Sequence, residues 1–356
     1  MSTQLPSVID TEEPFMIDTE EQRVQILTQP SEALVECITR LQSPLVILGA
    51  GGKMGPTVAV LAKRAAERAG HPLEVVAASR FRDPAARQWL EDRQVTTRVS
   101  DVFDRDQLAQ LPDSANVLYL VGMKFGTATD PVPTWITNTL GPMLTAQRYP
   151  GTKIVALSTG NVYPLSATSS RGSVESDPLT PLGEYANAAV ARERIFQHFA
   201  VDESSASATT LVRLNYAHDL RYGVLSDIAH KIDRGHPVSV EMGHFNAIWQ
   251  GDANEVILRC FDICRSPALS LNLTSPEVYS VRAAAQQLGR LLGRDPVFVG
   301  TEQPTALLSN AQEMVRHFGP PRVSIDRLLA WVAHWTKIGG ATLNKPTHFE
   351  SRDGRF

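Results

Sequence analysis

The sequence predicts an α/β fold, a doubly wound parallel sheet with a smaller mixed lobe toward the C-terminus. Three observations carry that prediction. Short apolar runs alternate with amphipathic helical stretches from residue 45 to about 214, and such alternation means parallel strands wrapped by helices on both faces. The first apolar run, Leu45–Leu48, leads through Gly49-Ala-Gly-Gly-Lys-Met-Gly55 into a helical run, Thr57 to Ala69, that stops at Gly70. Past Asn215 the alternation loosens into helices separated by short extended pieces.

The glycine stretch organises the rest. Gly49, Gly52 and Gly55 stand three apart, with Gly51 between them. One glycine allows the tight turn, one lets backbone approach a pyrophosphate, and one lets helix and strand pack closely. Exposed N–H groups and the positive end of the helix dipole then face the phosphates. Strand before and helix after are what the motif requires. The stretch therefore predicts a Rossmann-type dinucleotide site built from Gly49, Gly51, Gly52, Lys53, Met54 and Gly55.

The other elements follow in order. Residues 1–43 read as an acidic extension, with Asp10, Glu12, Glu13, Asp18, Glu20 and Glu21, partly disordered or laid on the surface. An edge helix, Ser31 to Leu41, ends it. Later strands are expected at Leu73–Ala78, Thr97–Val99, Val117–Val121, Lys153–Leu157 and Thr210–Leu214. Helices are expected at Trp135–Arg148 and Gly183–Phe199. Residues 44–215 would form the dinucleotide-binding domain, and 216–338 a smaller substrate lobe interleaved with it. Its helices are Leu225–Arg234, Asn254–Cys264, one capped by Ser280, and Ile325–Trp335. Residues 339–356 are polar and read as a loose tail.

Composition narrows the function. Of 356 residues, 43% are hydrophobic and 20% charged, which suits a sizeable core. A net charge of −4 without a basic block argues against nucleic acid. No apolar run approaches the ~20 residues of a membrane span, and no apolar signal core opens the chain, so a cytoplasmic protein without membrane contact is expected. The three cysteines, Cys37, Cys260 and Cys264, suit a reducing compartment and read as small core residues. No His, Asp or Glu set has metal spacing, so no metal is expected.

Five further segments fall in register behind the glycine stretch. They are Asn138-Thr-Leu-Gly141, Ser158-Thr159-Gly-Asn-Val-Tyr163, Tyr185 at the head of a helix, Arg213-Leu-Asn215-Tyr, and Asn272-Leu-Thr-Ser-Pro-Glu-Val-Tyr-Ser280. On these the chain, over about residues 44 to 337, resembles the extended short-chain dehydrogenase/reductase superfamily, specifically its NAD-dependent epimerase/dehydratase branch. The resemblance implies hydride transfer between a nicotinamide and a carbinol carbon. Tyr185 would be the acid/base, Thr159 would orient the substrate oxygen, and Asn138 would support the helix and a water path. The plain alternatives are a buried helix tyrosine and an ordinary turn hydroxyl. The branch also implies a homodimer through the helices at Trp135–Arg148 and Gly183–Phe199.

One position departs from the family. Its Tyr-x-x-x-Lys motif reads Tyr185-Ala-Asn-Ala-Ala189 here. A free tyrosine titrates near ~10 and is a weak base at neutral pH unless a cation lies nearby. Arg192, two helical turns on, is one substitute; Arg194 and Lys124 are others, and the bland reading puts both arginines on the surface.

At the second strand's end, Ser79-Arg80 followed by Arg82 favours NADP over NAD, because a hydroxyl and a guanidinium suit a 2′-phosphate. Asp101 and Val102 would meet the adenine, and Val121 and Gly122 the cofactor at the fourth strand's end. The substrate side offers Lys124, Asn215, Tyr216 and Arg221, near His218, Asp219 and Tyr222, with Asp219 and Arg221 equally readable as a solvated turn. A second cluster, His244, Phe245, Asn246 and Trp249, could present a ring to a sugar or simply fill the core. The expected function is an NAD(P)-dependent epimerase/dehydratase-like oxidoreductase acting on a sugar, sugar nucleotide or related polyol. The alternative is a redox-inactive NAD(P)-binding regulator of the same fold.

Overall fold

Leu45–Leu48 (β1) is apolar at every position and fully buried. A strand apolar on both sides needs cover on both faces, and β1 lies at the centre of a seven-stranded sheet. The other strands are Val75–Ser79 (β2), Thr96–Val99 (β3), Asn116–Tyr119 (β4), Lys153–Thr159 (β5), Ala208–Leu214 (β6) and Leu269–Leu273 (β7). Their order is β7-β6-β5-β4-β1-β2-β3, and every neighbouring pair is parallel. This is the Rossmann-type sheet that the alternating pattern predicts. The computed structural model describes residues 15–124 and 126–355; the expectation for residues 1–14 lies outside them.

Twelve helices are described. They are Glu20–Leu27 (α1), Glu32–Ile38 (α2), Gly55–Arg68 (α3), Pro84–Glu91 (α4), Arg105–Ala109 (α5), Val132–Arg148 (α6), Glu184–Val201 (α7), Val224–Asp233 (α8), Gln250–Arg259 (α9), Val281–Leu292 (α10), Gln312–Phe318 (α11) and Ile325–Lys337 (α12). Alternation along β1 sorts the core. Leu45 and Ile47 face α2, α3 and α9; Val46 and Leu48 face the side covered by α5, α6 and α7. A further core holds the C-terminal lobe, where α8, α10 and α12 surround Trp249 and Trp331, whose rings meet edge-on at 5.3 Å.

Four differences from expectation matter for the site. First, β7 adds a strand that the six expected ones omit. Its apolar residues, Leu269, Leu271 and Leu273, alternate with Ser270 and Asn272, so no continuous apolar run marks it. Second, β5 runs to Thr159 because Ser158 and Thr159 pair with Arg213 and Leu214 of β6. Third, residues 15–28 belong to the lobe. Ile17, Ile26 and Leu27 are buried in its core, a Thr19–Gln22 capping box starts α1, and Trp331 Nε1 donates to the Phe15 carbonyl at 2.7 Å. Fourth, the C-terminal tail is laid against the lobe rather than loose. Phe349 is buried, and both the backbone N–H and the hydroxyl of Thr347 donate to Asp227. Apolar side chains inside two otherwise polar segments explain both anchorings.

Among the described residues, no cluster of His, Cys, Asp or Glu could hold a metal ion, and no helix is long and apolar enough to cross a membrane.

Candidate active site

The sheet reverses its strand order between β1 and β4, and a cleft opens there beyond the carboxyl ends of the strands. Its floor is the glycine turn. Gly49 has φ +83°, and a Cβ there would stand 2.9 Å from Val121 Cγ2. A Cβ at Gly55 would run into the backbone of Ala50, so this glycine lets α3 start directly under the turn. Met54 caps α3 with no side-chain hydrogen bond. The N–H groups of that first turn remain available to an anion.

Two joined cavities fill the cleft and share Gly49, Gly52 and Leu120. The first, about 400 Å³, is lined by Gly51, Ser79, Arg80, Arg82, Asp101, Val102, Val121 and Gly122. Arg80 lies 3.8 Å from the Asp101 carboxylate and is half-exposed. The second, about 260 Å³, is lined by Lys53, Met54, Gly55, Lys124, Thr159, Asn161, Asn215, Tyr216 and Tyr222. Residues assigned to cofactor from the sequence thus divide between the two chambers.

Thr159 ends β5 at the wall of the second cavity. Its Oγ1 accepts from the backbone and side-chain nitrogens of Asn161, at 3.2 and 3.1 Å. Both bonds use the oxygen as acceptor, so the hydroxyl proton is left to donate. Asn215 is buried at the end of β6, and its Nδ2 has no partner among the described residues. Tyr185, in the first turn of α7, is buried and is not among the residues that line the two cavities; the wall residue Lys124 brings its Nζ to 5.9 Å from the tyrosine ring centre. Burial pushes the Tyr222 hydroxyl up, with Asp227 and Tyr185 adding to that effect.

Arg192 is not the surface residue of the bland reading. It is 4% exposed, and its guanidinium donates to Asn138 Oδ1 at 2.6 Å and to the Leu157 carbonyl at 2.5 Å. Asn138 is wholly buried and donates to the carbonyls of Met123 and Thr134. Arg194 is exposed and bonded to Gln197.

Lys53 turns away from the glycine loop. Its ammonium donates to the Ala217 carbonyl at 3.3 Å and stands 3.5 Å over the ring of Tyr222. It is reached by water through the cleft, yet the cleft walls strip much of its hydration. That desolvation, with the charge of Lys124, outweighs Asp219 and holds the ammonium down at about 7. Desolvation holds Lys124 at about 8.

Arg221 does not join this cavity. Its guanidinium turns to Asp219, and it lines a third cavity with Arg23, Trp89, Glu20 and Glu21, which meets the second one at Lys53. Asp219 is buried, not solvated; Arg23 donates to both its oxygens at 2.9 Å. His218 is buried with no hydrogen-bond partner on either ring nitrogen among the described residues, and burial pushes it down to about 3. Trp249 is core, and Asn246 is tied to the Glu277 carbonyl and the Ser309 N–H, so the second polar-aromatic cluster lies outside the cleft lining.

Several motif residues are structural. Glu193 on α7 pairs with Arg213 at 2.7 Å and accepts from Ser158. Arg213 donates to the Tyr163 hydroxyl, which donates to Asn272. This buried chain ties α7 to β5, β6 and β7. The sequence reading names Tyr222 on the substrate side, where it lines the cavity, but gives no role to Asn161 or to Thr347, which the tail brings to the cavity. It also assigned Lys53 to the cofactor alone. A lysine at a helix N-terminus opposes the dipole, and that local misfit was the available signal.

No family model matches the chain, and no curated protein matches it. Solved structures do. A dTDP-glucose 4,6-dehydratase from Bacillus anthracis, in complex with NAD, is 14% identical with a TM-score of 0.68, covering 83% of this chain and 97% of that one. A UDP-glucuronic acid 4-epimerase variant from Bacillus cereus, with a fluorinated UDP-glucuronic acid and NAD, is 15% identical at 0.66, covering 83% and 99%. The UDP-glucose 4-epimerase of Thermus thermophilus, complexed with NAD, is 17% identical at 0.65, with the same coverage. These likenesses establish architecture: the chain has the fold of the epimerase/dehydratase branch of the extended short-chain dehydrogenase/reductases.

Proposed function

We propose that the chain is an NAD(P)-dependent oxidoreductase of the epimerase/dehydratase type, acting on a carbinol carbon of a sugar or sugar nucleotide. The observation that carries this reading is the continuous cleft over the β1–β4 switch point. It has a glycine cradle at its middle, arginines at one end, and Thr159 and Lys124 at the other. The nicotinamide would supply or take the hydride. Gly49, Gly51, Gly52 and Gly55 would hold the diphosphate against backbone N–H groups. Asp101 and Val102 would meet the adenosine, and Val121 and Gly122 the floor beneath it. Ser79, Arg80 and Arg82 support NADP over NAD.

Tyr185 would move the hydroxyl proton of the substrate, and Thr159 would donate to the same oxygen. Lys124 supports this role for Tyr185 by position, its ammonium standing 5.9 Å from the centre of the tyrosine ring. Arg192 is engaged by Asn138 and Leu157, so Lys124 is the better substitute for the absent lysine. Asn138 would act as a positioning residue. Asn215 and Tyr216 would line the substrate. A cytoplasmic homodimer through α6 and α7 suits the exposed Val132 and Ile136 of α6 and Leu182 just ahead of α7, and the mass from sedimentation equilibrium in analytical ultracentrifugation tests it.

The test is fluorescence titration with NADPH and NADH, then a screen of sugars and sugar nucleotides by absorbance and product chromatography. NADPH should bind more tightly than NADH, and Tyr185→Phe should abolish turnover. Tight nucleotide binding without turnover, and without effect of Tyr185→Phe, would instead establish the redox-inactive regulator. Ala189 at the lysine position is the observation that favours that second reading.

A further inference from the structure

The second cavity is one-sided in its chemistry. Two lysines, Lys53 and Lys124, reach it, and among the described residues no carboxylate lines it. The acids nearest Lys53 are already engaged behind the wall. Asp219 is held by Arg23 and Arg221. Asp227 accepts twice from Thr347. Among the described residues no carboxylate stands within ion-pair distance of Lys53, whose ammonium meets a carbonyl and a ring face. The remaining wall adds donors: the Thr159 hydroxyl and the unpartnered, buried Asn215 amide. Lys53 springs from the glycine turn but points to the lobe, at Ala217 and Tyr222, rather than along the turn.

We propose that Lys53, with Lys124, forms an anion subsite on the lobe side of the cavity, so that the substrate carries a carboxylate or phosphate close to its reacting carbon. The proposal rests on the oxidoreductase reading for the word substrate, but the subsite itself stands on the cavity alone. An anion there relieves two like charges that desolvation and mutual repulsion now oppose. Charge-assisted hydrogen bonds from an ammonium are the strong kind. A neutral sugar would bring no counter-charge to the Lys53 ammonium in a partly dehydrated cleft.

Calorimetric titration of the full chain with D-glucuronate, D-glucose 6-phosphate and D-glucose tests this, with the protein alone and again with NADPH present. At least one anion should bind about tenfold or more tightly than glucose, and the order of the two anions tells carboxylate from phosphate. Lys53→Met should erase the preference. Lys53→Arg should keep it and extend it to higher pH, where lysine loses its proton beside Lys124, Asp219, Asp227, Arg221 and His218. Equal binding of glucose and both anions overturns the proposal, as does a preference that survives Lys53→Met. Displacement of the anion by NADPH also overturns it, because Lys53 would then serve the cofactor diphosphate. Absence of NADPH binding would sink the oxidoreductase reading and leave the anion result on the protein alone to stand or fall separately.

Discussion

Arg192 donates to Asn138 Oδ1 at 2.6 Å, joining α7 to α6 beneath the cleft floor. The same guanidinium holds the Leu157 carbonyl of β5, and Asn138 holds the Met123 carbonyl just past β4. One buried pair therefore fixes two strand ends that wall the site. Arg192→Met leaves both acceptors buried without that donor. Each such group costs about 1–3 kcal/mol, so urea denaturation should show a loss of about 2–4 kcal/mol. Arg192→Lys should recover part of it. A stability equal to wild type in Arg192→Met would refute the positioning role.

Arg23 and Asp219 make a second buried link between α1 and the turn that carries Tyr222, with Arg23 Nη1 donating to both carboxylate oxygens at 2.9 Å. Removing one partner of such a pair strands the other charge, at about 3–5 kcal/mol. Arg221 still faces Asp219, so Arg23→Met should cost somewhat less, about 2–4 kcal/mol. The double variant Arg23→Met, Asp219→Asn should be more stable than the sum of the single losses predicts. Strict additivity in that cycle would show that the two residues do not interact.

What could be read from the sequence was what is local. The glycine turn and the apolar runs of β1, β2 and β4 act through neighbours a few residues away, so their pattern shows directly. β7 did not show, because Ser270 and Asn272 break its apolar run and its partner β6 lies far back in the chain. The direction of Lys53 depends on where residues 217 and 222 fold against it, and no spacing rule carries that. Arg192 and Arg194 stand two apart on one helix, yet one is buried and one exposed. Only the position of α6 decides between them. The motif residues Tyr163, Arg213 and Asn272 were legible as a set, but their mutual hydrogen bonds exist only once three strands are assembled.

Two glycines separate conformational strain from collision. At Gly70, φ is +61° and nothing lies within 4 Å of a built Cβ. Gly70→Ala should cost about 1 kcal/mol in strain and leave NADPH binding unchanged. At Gly55 the obstacle is the Ala50 backbone, which cannot swing aside. Gly55→Ala should push α3 from the turn, cost about 1–3 kcal/mol, and weaken NADPH binding at least about tenfold. Fluorescence titration of both variants checks this. Equal nucleotide affinity in the two would remove the glycine turn from the binding site.

The two depressed lysines give the stability a sign with pH. Lys53 falls from an ordinary 10.5 to about 7 in the folded chain, and Lys124 from 10.5 to about 8. Between those folded and unfolded values the unfolded chain holds protons that the folded chain has released. Stability must therefore rise with pH across that window. Below about 7 both states hold the proton and the full cost of the desolvated charge is present. The buried tyrosines act oppositely. Burial raises Tyr216 and Tyr222, so the unfolded chain ionises first and stability falls above the ordinary value of 10.0. Urea midpoints measured from pH 6 upward should climb to a maximum near about pH 9 to 10 and then decline. Lys53→Met should remove the climb between about 7 and 8 and lower its slope above that, whereas Lys124→Met should leave the first part intact and lower the slope only above about 8. A climb unchanged in both variants would mean that neither ammonium is desolvated by the cleft.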